Sequence, residues 1–413
     1  VVDTRYRKNA GAIYSLKYAI VFCPKYRKPV LVDDILRKTF KYRLYPTRDQ
    51  VEAMNHQLGE ACRLYNAGVQ ERRDAWCINR ESVNYYMQAN QLKEIRANGD
   101  LSLANFSACQ DVLRRVDQTF KTFFARVKRG ERAGFPRFKS HTRFDSLTFP
   151  SYGDGCRLLD NEKLRLQGIG QVKVKLHRAI EGNIKIVTVK REQGRWYVCF
   201  SVECEPKLLP PSAASVGVDV GLKEFATLSD GTEVENPRHF GHAQAKLRRA
   251  QRKVARRKRG SHRRRQAVCE LQRAHAHVRN QRADFHHKLA SWLVLMFGLI
   301  AVEDSNIKGL ASGMLANSVN DAGWGRFIET LADKAENAGR QLVKVDPRGT
   351  SQTCLCGAHT PKTLSQRWHE CQSCGLSASR DHVSAQLILG RGLRLRALTW
   401  SDATCVAREV ALL

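Results

Sequence analysis

Three isolated carboxylates and a cluster of four cysteines are the residues of this chain whose types and setting suit chemistry. Asp219 lies in VGVDVGLKEFATLSD, Val216–Asp230. A β-branched run ending on an acid, then Gly221, then a second apolar run closed by Asp230-Gly231, predicts a β-hairpin whose first strand carries Asp219 inward. Burying an unpaired carboxylate is costly unless a cation or hydrogen bonds compensate. Glu303 in LIAVEDSNIKGL and Asp381 in SRDHVSAQLIL stand where a strand should end and a helix begin. Taken singly, such acids are ordinary turn or helix caps. Together, from separate elements, they suit a pair of Mg²⁺ ions, because hard cations take oxygen ligands and leave positions open for phosphate and water.

The cysteines fall in TSQTCLCGAHTPKTLSQRWHECQSCG, Thr350–Gly375. Cys371 and Cys374 have the spacing that lets two thiolates chelate one tetrahedral Zn²⁺, and Cys354 with Cys356 offers a second pair. Cys354-Leu355-Cys356 is one residue shorter than the usual knuckle, so His359 and His369 stand as substitute ligands. The other cysteines are scattered along a long chain, which argues against a disulfide scaffold.

Charge names the partner class. Across 413 residues, 70 Lys and Arg against 40 Asp and Glu give a net charge of +30. That suits a polyphosphate partner, a nucleic acid. The densest run holds Lys246, Arg248, Arg249, Arg252, Arg256 and Arg257, and continues through Arg263, Arg264 and Arg265 with no acid among them. Leu247, Val254, Val268 and Leu271 interleave at helical steps, which predicts a helical pair over about 243–283 with its basic face along a duplex. Lys173 and Lys175 in VKVKLHR occupy the solvent-facing positions of a predicted strand, and Arg380 adjoins the last acid. No apolar run approaches the roughly 18 residues of a membrane span and no cleavable leader is seen, so a cytoplasmic, nucleoid-associated prokaryotic protein is expected.

The elements that must position these residues follow in order. Phe40, Tyr42 and Leu44 alternate as a strand does, Pro46 stops it, and Thr47 with Gln50 makes a capping-box start. Val51, Met54, Leu58, Cys62, Tyr65 and Val69 then recur at helical steps, with Leu113, Val116, Phe120 and Phe124 continuing the pattern toward Arg129. Short alternating segments with glycine turns from Ser146 to Glu205 predict a small barrel or sheet. Phe285, Leu289, Trp292, Leu293 and Met296 predict an apolar helix ended by Gly298, and Leu299–Val302 a buried strand presenting Glu303. Trp324, Phe327, Ile328, Leu331 and Ala335 predict another helix, closed by Gly339 and followed by the strand QLVKVDP.

Asp219 in GVDVGLKEFATLSDG, Glu303 in VEDSNIKGL, the TSQTC and CQSCG knuckle and Arg380-Asp381, in this order over roughly 39–395, resemble TnpB, the transposon-encoded RuvC nuclease related to type V CRISPR effectors. The resemblance implies a multidomain α+β fold with an RNase H-like (RuvC) core at 213–349 and 378–396, a helical recognition lobe at 47–130 and a wedge β-barrel split between 38–46 and 131–212. It also implies a zinc-ribbon insert at 350–377 and a tail at 397–413. Asp219, Glu303 and Asp381 would then bind Mg²⁺, and a guide RNA from the transposon end would direct cleavage of double-stranded DNA beside a short adjacent motif. A miniature CRISPR effector and a non-cutting RNA-guided repressor are the alternatives.

Residues 1–37 resemble the opening of the small tyrosine transposase TnpA, a vestigial leader without its catalytic histidines. His275-Ala276-His277 copies that histidine spacing, but in a basic helical region, and is read as coincidence. After the last acid the family continues with an Asn and two Ala, whereas this chain has His382-Val383-Ser384-Ala385.

Overall fold

Phe40, Tyr42 and Leu44 point to one side of strand β1, Leu36–Tyr45, and are buried while their neighbours stay largely in solvent. The computed structural model describes residues 36–313, 315–363 and 366–410, so the leader expected at 1–37 lies outside it except for the first two residues of β1. The chain divides into two units between Glu205 and Pro206.

In the first unit, Thr47 and Gln50 form the reciprocal capping box that opens α1, Arg48–Asp74. A π-helical turn at Ala75–Asn79 leads to α2, Tyr85–Ala97, and α3, Phe106–Lys128. Met54, Leu58, Cys62, Tyr65 and Val69 are buried, as are Leu113, Val116 and Phe120, but Phe124 is 61% exposed. Strands β2 (Ser146–Phe149), β3 (Cys156–Leu159), β4 (Lys163–Leu166), β5 (Gly170–Lys175), β6 (Asn183–Glu192) and β7 (Arg195–Cys204) follow. With β1 they form an antiparallel sheet in the order β2-β6-β7-β1-β5-β4-β3. Its two edges, β2 and β3, are consecutive in sequence and joined by the short link 150–155. A flat sheet of this width would hold them about 29 Å apart, more than such a link spans. The sheet therefore curls into a nearly closed barrel, and the helices pack against it in one hydrophobic core that includes Tyr42, Tyr65, Leu92, Val112 and Phe200.

The second unit opens with β8 (Ser215–Val220), β9 (Glu224–Leu228) and β10 (Glu233–Glu235), followed by α4 (His239–Ala255) and α5 (His262–Met296). Next come β11 (Leu299–Glu303), the short α6 (Ile307–Leu310) and α7 (Ala316–Ala322), α8 (Trp324–Ala338), β12 (Gln341–Val345), the ribbon strands β13 (Trp368–Glu370) and β14 (Ser377–Ser379), and α9 (Arg380–Val410). The sheet order is β10-β9-β8-β11-β12, antiparallel through β8 and parallel from β8 to β12. Both faces of β11 are covered. Ile300 and Val302 join Leu289, Leu293, Phe327 and Leu331 from α5 and α8, while Leu299 and Ala301 join Ile388 of α9. Buried parallel strands of this kind are continuous apolar runs, which is why LIAV reads as one.

Two differences from expectation concern α5 and α9. The basic helix and the apolar helix are one continuous element, α5, and its buried stripe is His286, Leu289, Ala290, Leu293 and Val294. Trp292, Leu295 and Met296 are exposed instead. Phe297 caps the helix in extended conformation, and Gly298 serves a different purpose: a Cβ there would overlap the carbonyl oxygen of Ser212. Helix α9 runs on through the segment expected to be a separate tail. No described helix is long and apolar enough to cross a membrane.

Candidate functional site

The parallel register of β8 and β11 pairs Val218 with Val302, so Asp219 and Glu303 come next on adjacent strands at the same sheet edge. That is the carboxyl edge, where sites of α/β sheets gather. Asp219 is half-buried on β8, opposite Thr227 of β9. Asp381 arrives from α9, in its first turn. Gly217 and Gly392 let this helix lie close on the sheet: a Cβ on Gly217 would overlap the carbonyl oxygen of Ala385, and one on Gly392 would stand 2.6 Å from the Ala301 Cβ.

The three acids act on one another electrostatically. Burial, then the negative charges of Glu303 and Asp381, push the Asp219 carboxyl well above the usual carboxylate range, with Arg380 opposing. Converging acids of this kind are costly to ionise together unless a cation joins them. Glu303 accepts hydrogen bonds on both oxygens, from Ser305 Oγ at 3.0 Å and from the hydroxyl of Thr350. Asp381 accepts from Arg380 Nε at 3.2 Å and pairs with Arg367 at 3.8 Å. The Arg380 guanidinium, 13% exposed, also donates to the Gln366 carbonyl. His382 Nδ1 lies 3.3 Å from the carbonyl oxygen of Leu228, tying α9 to β9. Sequence reading missed Ser305, Thr350 and Arg367 as partners of the acids. Ser305 stood two residues from Glu303 and Thr350 inside the TSQTC stretch, but only the folded chain joins them to a carboxylate.

The four cysteine sulfurs all lie within 4.8 Å of one another, and among the described residues theirs is the one such group of three or more ligands. Cys354 and Cys374 sulfurs are 3.6 Å apart and those of Cys356 and Cys371 3.7 Å. Tetrahedral Zn²⁺ with Zn–S bonds of about 2.3 Å requires sulfurs about 3.8 Å apart, so the set fits zinc. The shortened Cys-x-Cys is accommodated by a tight turn: Gly357 takes φ +89° and its N–H donates to the Cys354 carbonyl. Backbone N–H groups of Cys374 and Ser373 point at the Cys371 sulfur and hold its thiol down to about 6. Cys374, despite the N–H of Leu376, is pushed up to about 12 by the other three sulfurs, so crowded thiols shed their protons one at a time unless a cation joins them. Neither histidine substitutes. His369 is buried against Lys362, and His359 pairs with Thr353 in an isolated bridge.

Comparison with known proteins gives the family. The chain is 32% identical over 372 residues to a "Putative RNA-guided DNA endonuclease" of Streptomyces pristinaespiralis, covering 87% of this chain and 90% of that one. The chain belongs to the TnpB family. A second TnpB relative, "Putative RNA-guided DNA endonuclease InsQ" of Escherichia coli K12, is 31% identical over 379 residues, covering 86% and 92% of the two chains. The family model described as "Probable transposase" matches residues 185–313, and a Cas12f1-like TNB domain matches 324–388. A "Helix-turn-helix domain" matches 36–80, where this chain has β1, the unbroken α1 and the π-helical turn. In fold, the chain resembles Cas12f1 in its complex with sgRNA and target DNA, with a TM-score of 0.55, 12% identity, and coverage of 86% and 99%.

The basic positions of this TnpB chain are exposed. Lys246, Arg248, Arg249, Arg252, Arg256 and Arg257 project from α4 and its following turn, while Leu247 anchors α4 as its buried residue. Lys173 and Lys175 alternate with the buried Val172 and Val174 on β5. These side chains can reach phosphate without leaving the core unpacked.

Proposed function

We propose that the chain is an RNA-guided DNA endonuclease. Its second unit would be an RNase H-like (RuvC) core in which Asp219, Glu303 and Asp381 hold Mg²⁺. The observation that carries this reading is the convergence of three acids from β8, β11 and α9 on one edge of the sheet, with the Asp219 carboxyl raised by burial and then by the charges of the other two. Their donor set is entirely oxygen, which fits Mg²⁺. Bound Mg²⁺ supplies an activated water and stabilises charge on the leaving oxygen of a phosphodiester. The chain's own part is to fix the acids: two hydroxyls orient Glu303, two guanidiniums orient Asp381, and the sheet register orients Asp219.

The zinc ribbon at 350–377 would then be the target-nucleic-acid-binding insert, and the exposed lysines and arginines of α4 and β5 would track guide and target backbones. The helices of the first unit would form the recognition lobe and its nearly closed barrel the wedge. Guide pairing, not protein side chains, would choose the DNA sequence. The match to the family model described as "Probable transposase" favours a guide from a transposon end. A guide from a CRISPR array would instead show as varied spacers in the RNA that copurifies. A plasmid-cleavage assay with the native RNA and Mg²⁺ tests the reading: Asp219→Ala should abolish cutting while RNA and DNA binding persist, and persistent cutting would move the chemistry elsewhere.

A further inference from the structure

Helix α9 does more than carry Asp381. Three residues further on, on the same side of the helix, Ser384 Oγ donates to the carbonyl of Thr350 at 3.2 Å. Arg391 of the same helix donates to the carbonyls of Asp346 and Arg348, at 2.7 and 2.9 Å. The loop between β12 and the zinc ribbon is thereby fastened to α9 at three carbonyls. Thr350, 5% exposed, has its hydroxyl between two acceptors, a Glu303 carboxylate oxygen and the Pro347 carbonyl at 3.0 Å, and the charged carboxylate is the stronger of the two; Ser305 holds the other carboxylate oxygen. Ser384 is itself 3% exposed, so the link runs through the interior, sheltered from water.

Resting on the nuclease reading above, we infer that Thr350 is a positioning residue: held by Ser384 of α9, it orients Glu303 and so sets that acid in step with Asp381. Rotation of a carboxylate about its last torsion is nearly free in water, and its preferred setting here is supplied by two hydroxyl donors. Removing the buried one leaves Glu303 to turn and leaves the Thr350 site without its donor. Losses of such outer partners typically weaken metal binding 10- to 100-fold.

The test uses the full chain with its native RNA and compares Thr350→Val, Thr350→Ser and Ser384→Ala. Mn²⁺ binding is followed by the loss of the free-ion electron paramagnetic resonance signal, and the half-saturating Mg²⁺ is measured in target cleavage. Thr350→Val should weaken Mn²⁺ binding roughly tenfold or more and raise the half-saturating Mg²⁺ in parallel, with much of the maximal rate recovered at high Mg²⁺. Thr350→Ser, which keeps the hydroxyl, should stay close to wild type, and Ser384→Ala should shift in the direction of Thr350→Val by less. Mn²⁺ affinity within about twofold of wild type in a folded Thr350→Val would overturn the inference. If that variant loses zinc or melts early, Ser384→Ala decides, and unchanged Mn²⁺ affinity there overturns it equally. Wild-type chain that never cuts, or Asp219→Ala that still does, sinks the nuclease reading instead, while the ranking of Mn²⁺ affinities still judges Thr350.

Discussion

Gly217 on β8 lies directly beneath the backbone of α9 at Ala385, so close that a single added carbon would overlap the Ala385 carbonyl oxygen. The neighbouring atom is backbone and cannot swing aside, so Gly217→Ala must lift the helix. Overpacking of this kind costs about 1–3 kcal/mol. We expect a lower denaturant midpoint for Gly217→Ala, together with a loss of cleavage larger than the stability loss explains, since Asp381 moves with the helix. Chemical unfolding and a cleavage assay on the same preparation check both.

The four-cysteine cluster predicts about one zinc per chain, measurable by inductively coupled plasma mass spectrometry. Cys371→Ser should lose that ion. The stretch from Thr350 to Ser379, which separates β12 from α9, should then become open to limited proteolysis. Intact zinc content in Cys371→Ser would remove the cysteine set as the ligand group.

His286 gives a pH prediction whose sign can be worked out. It sits among Phe225, Phe285 and Phe327 with Nε2 2.9 Å from the Ala322 carbonyl oxygen. Burial holds its pKa down to about 4 from 6.5; the hydrogen bond to Ala322 opposes this, and the nearby Arg282 adds to it. The unfolded chain therefore binds the extra proton first, and the stabilisation is complete above pH 6.5 and declines as pH falls toward about 4. At about 1.4 kcal/mol per pH unit this amounts to roughly 3 kcal/mol. The stability of His286→Gln, measured against wild type by urea unfolding, should fall less steeply across that window.

Arg249, Arg252 and Arg256 are exposed and lie close to one face of α4 and its C-terminal cap. Replacing all three by Gln should weaken RNA binding without changing thermal stability. The slope of log affinity against log salt should fall by about one for each phosphate that is no longer neutralised. Filter binding across a salt series reads this, and an unchanged slope would exclude that helix from the interface.

Much of this was legible because short-range rules carried it. The capping box at Thr47, the helix from Trp324 to the glycine cap and the strand before Glu303 all obey local periodicity and are found where expected. What escaped depended on neighbours distant in sequence. The buried stripe of α5 includes a histidine and an alanine, while its large apolar residues Trp292 and Met296 face outward, so a search for big hydrophobic side chains found Phe285, Leu289 and Leu293 but missed His286 and Ala290 beside them. Strand β3, CRLL, is too short to show a period of its own and is defined by its pairing with β4. The acids stood out by isolation, but the hydroxyls that orient Glu303 are ordinary serines and threonines until the β12 loop folds back against α9.

Helix α9 is synthesised after every strand of the second unit, yet it covers the face of β11 formed by Leu299 and Ala301. A ribosome that stops before it therefore releases a chain whose central sheet has one greasy side open to the cell, the kind of surface that chaperones bind and proteases follow. Because the same helix brings Asp381, incomplete copies would lack that carboxylate as well as the cover on β11, so the order of synthesis leaves the sheet open until the last helix is made.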